Sequence, residues 1–404
     1  MIKIKHTNKV VLAYSGGLDT SAIIPWIKEN YSLEVIAFVA DVGQSKNDLD
    51  GISEKAIQSG ASDCYIVDLK KDFVYDYIFP VLSTGALYEG NYLLGTAMAR
   101  PIIAKEQIKL AHQTNSIAVC HGATGKGNDQ VRFEMAYAAL DPNLKVLSPW
   151  RKWKLSSREE LIDYLKSKNI STTATKEKIY SRDENIWHIS TEGGVLENTW
   201  NEPDNNCWVW TTDPMMAPDK AEYITIEFDK GYPITINNNS LNLVDCLIYL
   251  NKIGSKHGIG RIDIVENRLI GIKSRGCYET PGGTILVTAM RALEQLILDR
   301  DSFQWRQKLG LKMATVVYDG LWFSPIRKSI QNAAHVFFNM LSGKIVLKLY
   351  KGNIIVIKKY SQQSLYSEEF ATFGKDTVYD QHDAQGFIKL FSLSSKIRAM
   401  KNKK

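Results

Sequence analysis

The chain has 404 residues, 44% of them apolar and 23% charged, the composition of a globular protein long enough for two or three domains with more than one sizeable core. No apolar run approaches the roughly 18 residues that span a bilayer, and the opening MIKIKHTNKVVLAY holds too short an apolar stretch for a signal peptide, so a soluble, cytoplasmic protein without a membrane partner is expected. The net charge of +6 does not mark a nucleic-acid partner, because Lys396, Arg398, Lys401, Lys403 and Lys404 crowd the last nine residues and leave the body close to neutral.

In chain order, apolar runs rich in valine and isoleucine at 9–14, 34–40, 64–69, 116–120 and 145–147 alternate with amphipathic stretches at 53–59, 95–112 and 129–140. Short strands that are apolar throughout, separated by helices, predict a parallel sheet covered on both faces, hence a doubly wound α/β domain. Pro25 falls inside the first helix, where it removes a donor and is expected to kink the axis. Ser157 and Glu160 stand in S-x-x-E register ahead of LIDYL and predict a capped helix.

From about residue 171 the texture changes. The stretch STTATKEKIYSRDENIWHISTEGGVLENTWNEPDNNCWVW is polar with little periodicity and reads as a long ordered crossing. Beyond it come a hairpin-like pair (EYITIEF and YPITIN), helical stretches at 241–256 and 284–300, and a second hairpin (KIVLKLY-KGN-IIVIKK). These predict an α+β domain with largely antiparallel strands. The residues from about Ser364 read as an extended arm ending in a basic helix or tail, which sets expected domains at 1–171, 172–363 and 364–404.

The stretch VVLAYSGGLDTS, residues 10–21, carries the first chemistry. In an open parallel sheet ligands gather beyond the carboxyl ends of the strands, and VVLAY delivers SGGLDTS to that edge. Gly16 and Gly17 permit a close backbone approach, while a helix beginning near Asp19 offers N–H groups and its dipole to an anion. Ser15, Thr20 and Ser21 add hydroxyl donors, so the turn is expected to hold a phosphate chain.

Two common nucleotide motifs are excluded. HGATGKGND at 121–129 lacks a glycine at the Walker spacing and has Gly127 after Lys126; its continuation G-K-G-N-D-Q is no dinucleotide fingerprint. Asn128, Asp129 and Arg132 fall on the first turn of a helix following the strand SIAVC, at the same sheet edge as Ser15. Thr124, Lys126 and the intervening glycines supply donors for a phosphate or carboxylate. Cys64, Cys120, Cys207, Cys246 and Cys277 are scattered without a C-x-x-C pair, so reduced thiols, no structural zinc and no His/Cys metal cluster are expected.

The remaining pattern, S-G-G-x-D-[ST], resembles the pyrophosphate loop of the ATP pyrophosphatase (PP-loop, HUP-like) superfamily, whose members split ATP between the α and β phosphates. YEGNYLLGTAMARP (88–101), HGATGKGNDQVRFE (121–134), SPWR (148–151), SRDENIWHIS (181–190), EGGVLEN (192–198) and GRIDIVENRLIGIKSRGCYETPGGT (260–284) together resemble the argininosuccinate synthase family over essentially the whole chain. The resemblance implies a carbon–nitrogen ligase of arginine biosynthesis, using ATP and Mg2+ to join L-citrulline to L-aspartate through a citrullyl-adenylate. It further implies a homotetramer with C-terminal arms wrapping neighbouring subunits.

The same resemblance assigns residues. Ala13, Tyr14, Ser15, Gly16, Gly17, Leu18, Asp19, Thr20 and Ser21, with Ala40 and with Cys120, His121, Gly122, Ala123, Thr124, Gly125, Lys126, Gly127 and Asn128, are expected around ATP. Thr124, Asn128 and Asp129 are expected to hold aspartate, Asp129 facing its ammonium. Citrulline is expected against Tyr92, Ala97, Asn128, Arg132, Ser181, Ser190, Glu266 and Tyr278, where Tyr, Ser and Asn offer both donors and acceptors to a neutral ureido group. Asp19, Asp129 and Arg132 are the expected catalytic set, with magnesium arriving mainly on the phosphates and Asp19 or Asp129 assisting. Cys120 stands where a serine is common in that family, and neither it nor Ala97 is given a side-chain role. His121 and His188 are read as orienting groups, proton shuttles or structural histidines. Two alternatives stay open: a tRNA-modifying PP-loop enzyme, and a non-catalytic nucleotide-binding module.

Overall fold

The valine- and isoleucine-rich runs of the first half become the strands of one parallel sheet in the computed structural model, which describes residues 8–125, 127–155, 157–170, 179–374, 378 and 380–402. In chain order these elements are β1 (Lys9–Ala13), α1 (Leu18–Tyr31), β2 (Glu34–Asp41), α2 (Ile52–Gln58), β3 (Asp63–Asp68), α3 (Gly95–Gln113), β4 (Ala118–Cys120), α4 (Asp129–Leu140), β5 (Lys145–Leu147) and α5 (Arg158–Ser167). The strand order is β3-β2-β1-β4-β5, every pair parallel. β1 is central, and Val10, Val11 and Leu12 are wholly buried because helices cover both faces. The chain winds outward from β1 through β2 to β3, then returns to β1's other side with β4. The switch point therefore lies between the loops after β1 and β4, where open α/β sheets bind their ligands.

α1 runs unbroken through the buried Pro25, so the proline is accommodated within one continuous helix. α5 starts with the expected capping box: Ser157 Oγ accepts from the Glu160 amide, and the Glu160 carboxylate accepts from the Ser157 amide, each at 3.2 Å.

The second half departs from the expected long crossing. Residues 180–193 form two strands, β6 (Tyr180–Glu184) and β7 (Ile189–Gly193). They are followed by β8 (Glu222–Asp229), β9 (Tyr232–Ile236), β10 (Asn239–Ser240), α6 (Leu243–Lys256), β11 (Arg261–Asn267) and β12 (Lys273–Glu279). β6 and β7 join an antiparallel four-stranded sheet of order β11-β12-β7-β6, in which β7 pairs with β12 more than 80 residues on: Glu192 stands opposite Gly276. The local sequence hides them because one side of YSRDE and ISTEG carries polar groups instead of the apolar alternation of a core-facing strand.

The chain continues with α7 (Pro281–Ile297), α8 (Arg300–Tyr318), α9 (Pro325–Phe338), β13 (Gly343–Tyr350) and β14 (Asn353–Tyr360). The helix expected at 284–300 in fact begins at Pro281 and ends at Ile297. Asp299 then caps α8 by accepting from the amides of Asp301 and Ser302, both at 3.0 Å. Both expected hairpins lie in a third sheet of order β10-β9-β8-β13-β14. The last part, read as an extended arm ending in a basic helix or tail, forms two exposed helices, α10 (Asp383–Phe391) and α11 (Leu393–Lys401), the second carrying Lys396, Arg398 and Lys401; Lys403 and Lys404 lie outside the described residues.

One continuous apolar core joins the halves, from Val11 and Phe38 through Tyr92 and Trp187 to Leu293 and Leu347. Trp187 donates its indole N–H to the Leu93 carbonyl at 2.9 Å, and Asn185 donates to the Gly95 carbonyl at 3.3 Å, which ties the turn between β6 and β7 to the start of α3.

Candidate active site

The loop after β1 has the features an anion needs. Gly16 takes a left-handed φ of +70°, which a side chain strains, and Gly17 precedes α1 with extended geometry. No side chain caps α1 among the described residues, so its first-turn amides remain directed outward with the positive end of the dipole. Ser15 Oγ accepts from the Gly17 amide at 3.3 Å and lies 3.2 Å from Thr20 Oγ1, so these two hydroxyls shape the loop. Ser21 differs: its hydroxyl is buried and bonded to Tyr14 Oη at 3.1 Å, turned into the fold and away from the loop. Burial pushes the Asp19 carboxyl above its ordinary range despite the opposing charge of Arg158. Lys55 donates to the Gly16 carbonyl, a contact with no signal in the motif.

The loop after β4 packs directly on this one. A Cβ on Gly122 would lie 2.8 Å from the Thr20 methyl, so glycine is what lets the two loops meet. His121 is buried, with Nε2 at 3.0 Å from Glu134 and Nδ1 accepting from the Ala123 amide at 3.3 Å; both nitrogens are committed to holding the loop. Cys120 is wholly buried and burial pushes its thiol up, which fits an inert packing group and not a nucleophile. Thr124 and Gly125 form the exposed tip, and the Gln130 amide braces it through the carbonyls of Gly125 and Gly127 at 2.6 and 3.2 Å. Lys126 lies outside the described residues. Ala13 and Ala40 end β1 and β2 at the same edge of the sheet.

The residues expected around citrulline converge through strand register. Asp183, Ser190, Tyr278 and Ile262 are directly paired across β6, β7, β12 and β11, and so share one face of the sheet. Ser181, Glu192, Gly276 and Ile264 form the next row on that face, and Glu266 with Ser274 the one after. Ser181, Ser190, Glu266 and Tyr278, scattered over 98 positions, thus line one wall. Gly276 leaves this wall without a side chain in its centre. The Tyr92 ring packs against Tyr278 with centroids 4.6 Å apart and planes tilted by 43°, and its hydroxyl accepts from the Thr96 amide at 3.2 Å; Ala97 is buried in the same first turns of α3.

Asn128 and Arg132 close the opposite side. Asn128 donates to Tyr318 Oη at 2.8 Å and accepts from the Leu269 amide at 2.9 Å, and Arg132 donates to the Tyr318 carbonyl at 3.0 Å. Asp129 Oδ1 accepts from Arg132 at 2.9 Å, while Oδ2 accepts from Arg100 Nε at 3.0 Å. Burial works against ionisation of Asp129, but the two guanidiniums outweigh it and hold the carboxyl below its usual range. Arg100 also reaches Asp183 across the seam at 2.6 Å.

Glu266 is buried, accepts from Tyr278 Oη at 3.0 Å, and is raised to about 7 by burial. Glu192, paired with Arg268 at 2.7 Å, is also raised by burial. His188 contacts the Thr96 hydroxyl at 3.1 Å, and burial lowers it to about 4, which favours the neutral imidazole near pH 7.

Arg100, Asp183, Glu192 and Tyr318 were not among the expected site residues. Asp183 is two residues from Ser181 and Glu192 two from Ser190, so the strand period of two was the available signal. Arg100 stands three residues from Ala97 on the predicted helix, where helical spacing was the signal, and Tyr318 had none.

A glycine loop and open helix start at a parallel-sheet switch point, set against a polar wall rich in Tyr, Ser and paired charges, define a nucleotide-dependent synthetase. The family description "Arginosuccinate synthase N-terminal HUP domain" matches residues 9–171, and "Arginosuccinate synthase C-terminal domain" matches 180–398. Proteins named argininosuccinate synthase from Buchnera aphidicola subsp. Acyrthosiphon pisum (66% identical over 395 residues, 98% of each chain) and Erwinia tasmaniensis (65% over 401 residues, 99% of each) are similar to it. So is one from Serratia proteamaculans (65% over 393 residues, 97% of each). The chain belongs to the argininosuccinate synthase family. Its reaction is accordingly the ATP-dependent condensation of L-citrulline with L-aspartate, a carbon–nitrogen ligation that releases AMP and pyrophosphate. A tRNA-modifying enzyme and a non-catalytic module are thereby set aside.

Proposed function

We propose that this ligation runs in the cleft between the glycine loop and the polar sheet wall. The convergence of Ser181, Ser190, Glu266 and Tyr278 on one face by strand register is what carries the proposal. ATP lies along residues 13–21, beside Ala40 and 120–128, with Gly16, Gly17 and the first turn of α1 on the departing phosphates. Citrulline lies against Tyr92, Ala97, Asn128, Arg132 and the sheet wall. Its ureido oxygen attacks the α-phosphate as the bond to the β-phosphate breaks and pyrophosphate leaves. The aspartate amine, held by Thr124, Asn128 and Asp129, then displaces AMP from the ureido carbon and loses a proton. Catalysis comes mainly from positioning and from neutralising phosphate charge.

Magnesium belongs on the ATP phosphates. The chain's own contribution is Asp19, the acid of the glycine loop, since Asp129 faces Arg100, Arg132 and the aspartate amine; no cluster of three or more His, Cys, Asp or Glu suited to a metal occurs among the described residues. We further propose domains at 1–171, 172–363 and 364–404, a cytoplasmic location, and a homotetramer built through α10 and α11, whose exposed Phe387, Leu390, Phe391 and Ile397 favour a covering partner. No helix among the described residues is long and apolar enough to cross a membrane.

The test supplies citrulline carrying oxygen-18 in its ureido group. Label is expected in AMP, and Ser190→Ala and Tyr278→Phe are expected to raise the citrulline KM about tenfold with less effect on ATP. AMP release independent of citrulline, or an unmoved KM in both folded variants, overturns the assignment.

A further inference from the structure

Arg100 is shared between two carboxylates that belong to different sheets' surroundings: Asp129 at the start of α4 and Asp183 on β6. Its Nη2 lies 2.9 Å from Asp129 Oδ2 and 2.6 Å from Asp183 Oδ2, and its Nε adds a bond to Asp129 Oδ2 at 3.0 Å. Asp129 Oδ1 is already engaged by Arg132. Arg132 has little freedom to leave, since it also bonds the Tyr318 carbonyl at 3.0 Å and lies over the Tyr318 ring at 4.8 Å. Of the two guanidiniums on Asp129, that of Arg100 is the one that also bonds a second carboxylate among the described residues.

We propose that Asp183 is a positioning residue for the amine-bearing substrate: it draws Arg100 away from Asp129 and so leaves Asp129 Oδ2 able to accept the incoming ammonium. The inference rests on the proposal that Asp129 meets that ammonium. Two arginines on one aspartate would present a surplus positive charge and repel a cation, whereas Asp183 completes a neutral set of two acids and two arginines. Asp183 is well placed to hold its share. Its backbone pairs with Ser190 in the β6–β7 ladder, its carbonyl accepts from Ser190 Oγ at 3.5 Å, and its carboxylate stands on the same face as the citrulline residues. A substrate ammonium then takes Asp129 Oδ2 while Arg132 keeps Oδ1 and Arg100 passes to Asp183, so each of the three cations keeps a carboxylate oxygen.

The test is steady-state kinetics on the full chain with Asp183→Asn, Asp183→Glu, Asp129→Asn and the double variant Arg100→Gln/Asp183→Asn, each checked by thermal melting. Asp183→Asn is expected to raise the aspartate KM roughly tenfold or more while the citrulline KM moves less than about threefold. Asp183→Glu restores the charge and is expected to stay within about threefold of the parent. The double variant removes the surplus cation and is expected to recover much of the lost aspartate affinity, which a merely structural role for Asp183 would not produce. Equal shifts in both KM values, no shift in either, or a double variant no better than Asp183→Asn overturns the inference. An aspartate KM untouched by Asp129→Asn overturns instead the role of Asp129 on which it rests. Should Asp183→Asn not fold, the double variant and Asp183→Glu decide by the same comparison of the two KM values.

Discussion

Tyr278 donates its hydroxyl to Glu266 Oε1 across 3.0 Å, while the buried Oε2 of the same carboxylate has no partner among the described residues. Burial raises Glu266 to about 7, from an ordinary value near 4.5, against the lowering effects of Tyr278 and Arg132. An acid raised in this way binds its proton more tightly folded than unfolded. Its contribution to stability is therefore fully present below about pH 4.5 and is lost as pH rises through about 7, a change of about 3 kcal/mol. Urea unfolding of the ligand-free protein at pH 5 and pH 8 is expected to show this loss relative to Glu266→Gln. Parallel pH curves for the two proteins would show that Glu266 ionises normally.

The same carboxyl makes citrulline binding pH-dependent if it meets the substrate ammonium. A cation beside Oε2 favours the ionised form, so binding at or below pH 7 is expected to release a proton, and citrulline affinity to rise as pH passes through about 7. Calorimetric titration in two buffers of different ionisation enthalpy measures that proton directly. Glu266→Gln is expected to abolish the release; a release of unchanged size in that variant places the titrating group elsewhere.

Gly16 and Gly17 separate backbone strain from ligand approach. Alanine at Gly16 meets φ +70° and puts a Cβ 3.1 Å from Ile52 Cδ1, so Gly16→Ala is expected to destabilise the fold by about 1–2 kcal/mol as well as weaken ATP use. Gly17 has φ −72°, and its Cβ would only approach Ser15 Oγ at 3.3 Å. Gly17→Ala should therefore melt close to the parent while its ATP KM rises roughly tenfold, because the methyl occupies the space of an approaching phosphate. A Gly17→Ala protein with parental ATP kinetics would remove the triphosphate from this loop.

What the sequence made legible follows where burial is local. β1 and β2 are apolar on both faces, so their residues alone announce a covered parallel sheet, and Ser157 with Glu160 announces its own helix start. β6 and β7 are different because their inner face, with Ser181, Asp183, Ser190 and Glu192, lines the polar wall, and a strand that points charge inward lacks the hydrophobic period by which strands are recognised. Arg100 shares a helix face with Ala97 three residues earlier, but nothing local reveals what it pairs with. Its partner Asp183 lies 83 residues away on β6, and only the packing of α3 against that strand brings them together. Ser21 shows the converse: a hydroxyl in a loop motif that the first helical turn directs to Tyr14.

Gly95 lies directly against the His188 ring. A Cβ on Gly95 would lie 2.2 Å from His188 Cδ2, closer than any van der Waals contact, and the imidazole stacks on Tyr278 at 6.1 Å. Gly95→Ala must therefore push the ring toward the sheet wall or move the start of α3, at a cost of about 1–3 kcal/mol typical of an overpacked core. Because Tyr278 moves with the ring, the citrulline KM is expected to rise in the same variant. Shortening the ring in Gly95→Ala/His188→Ala relieves the clash, so a double-mutant cycle on stability should give a coupling of about 1 kcal/mol or more in the favourable direction. The imidazole is neutral near pH 7, held at about 4 by burial, so the coupling should not change between pH 6.5 and 8. Additive free energies would mean that the glycine is required for the turn into α3 and not for the ring, and a coupling that vanished above pH 7 would mean that His188 carries charge.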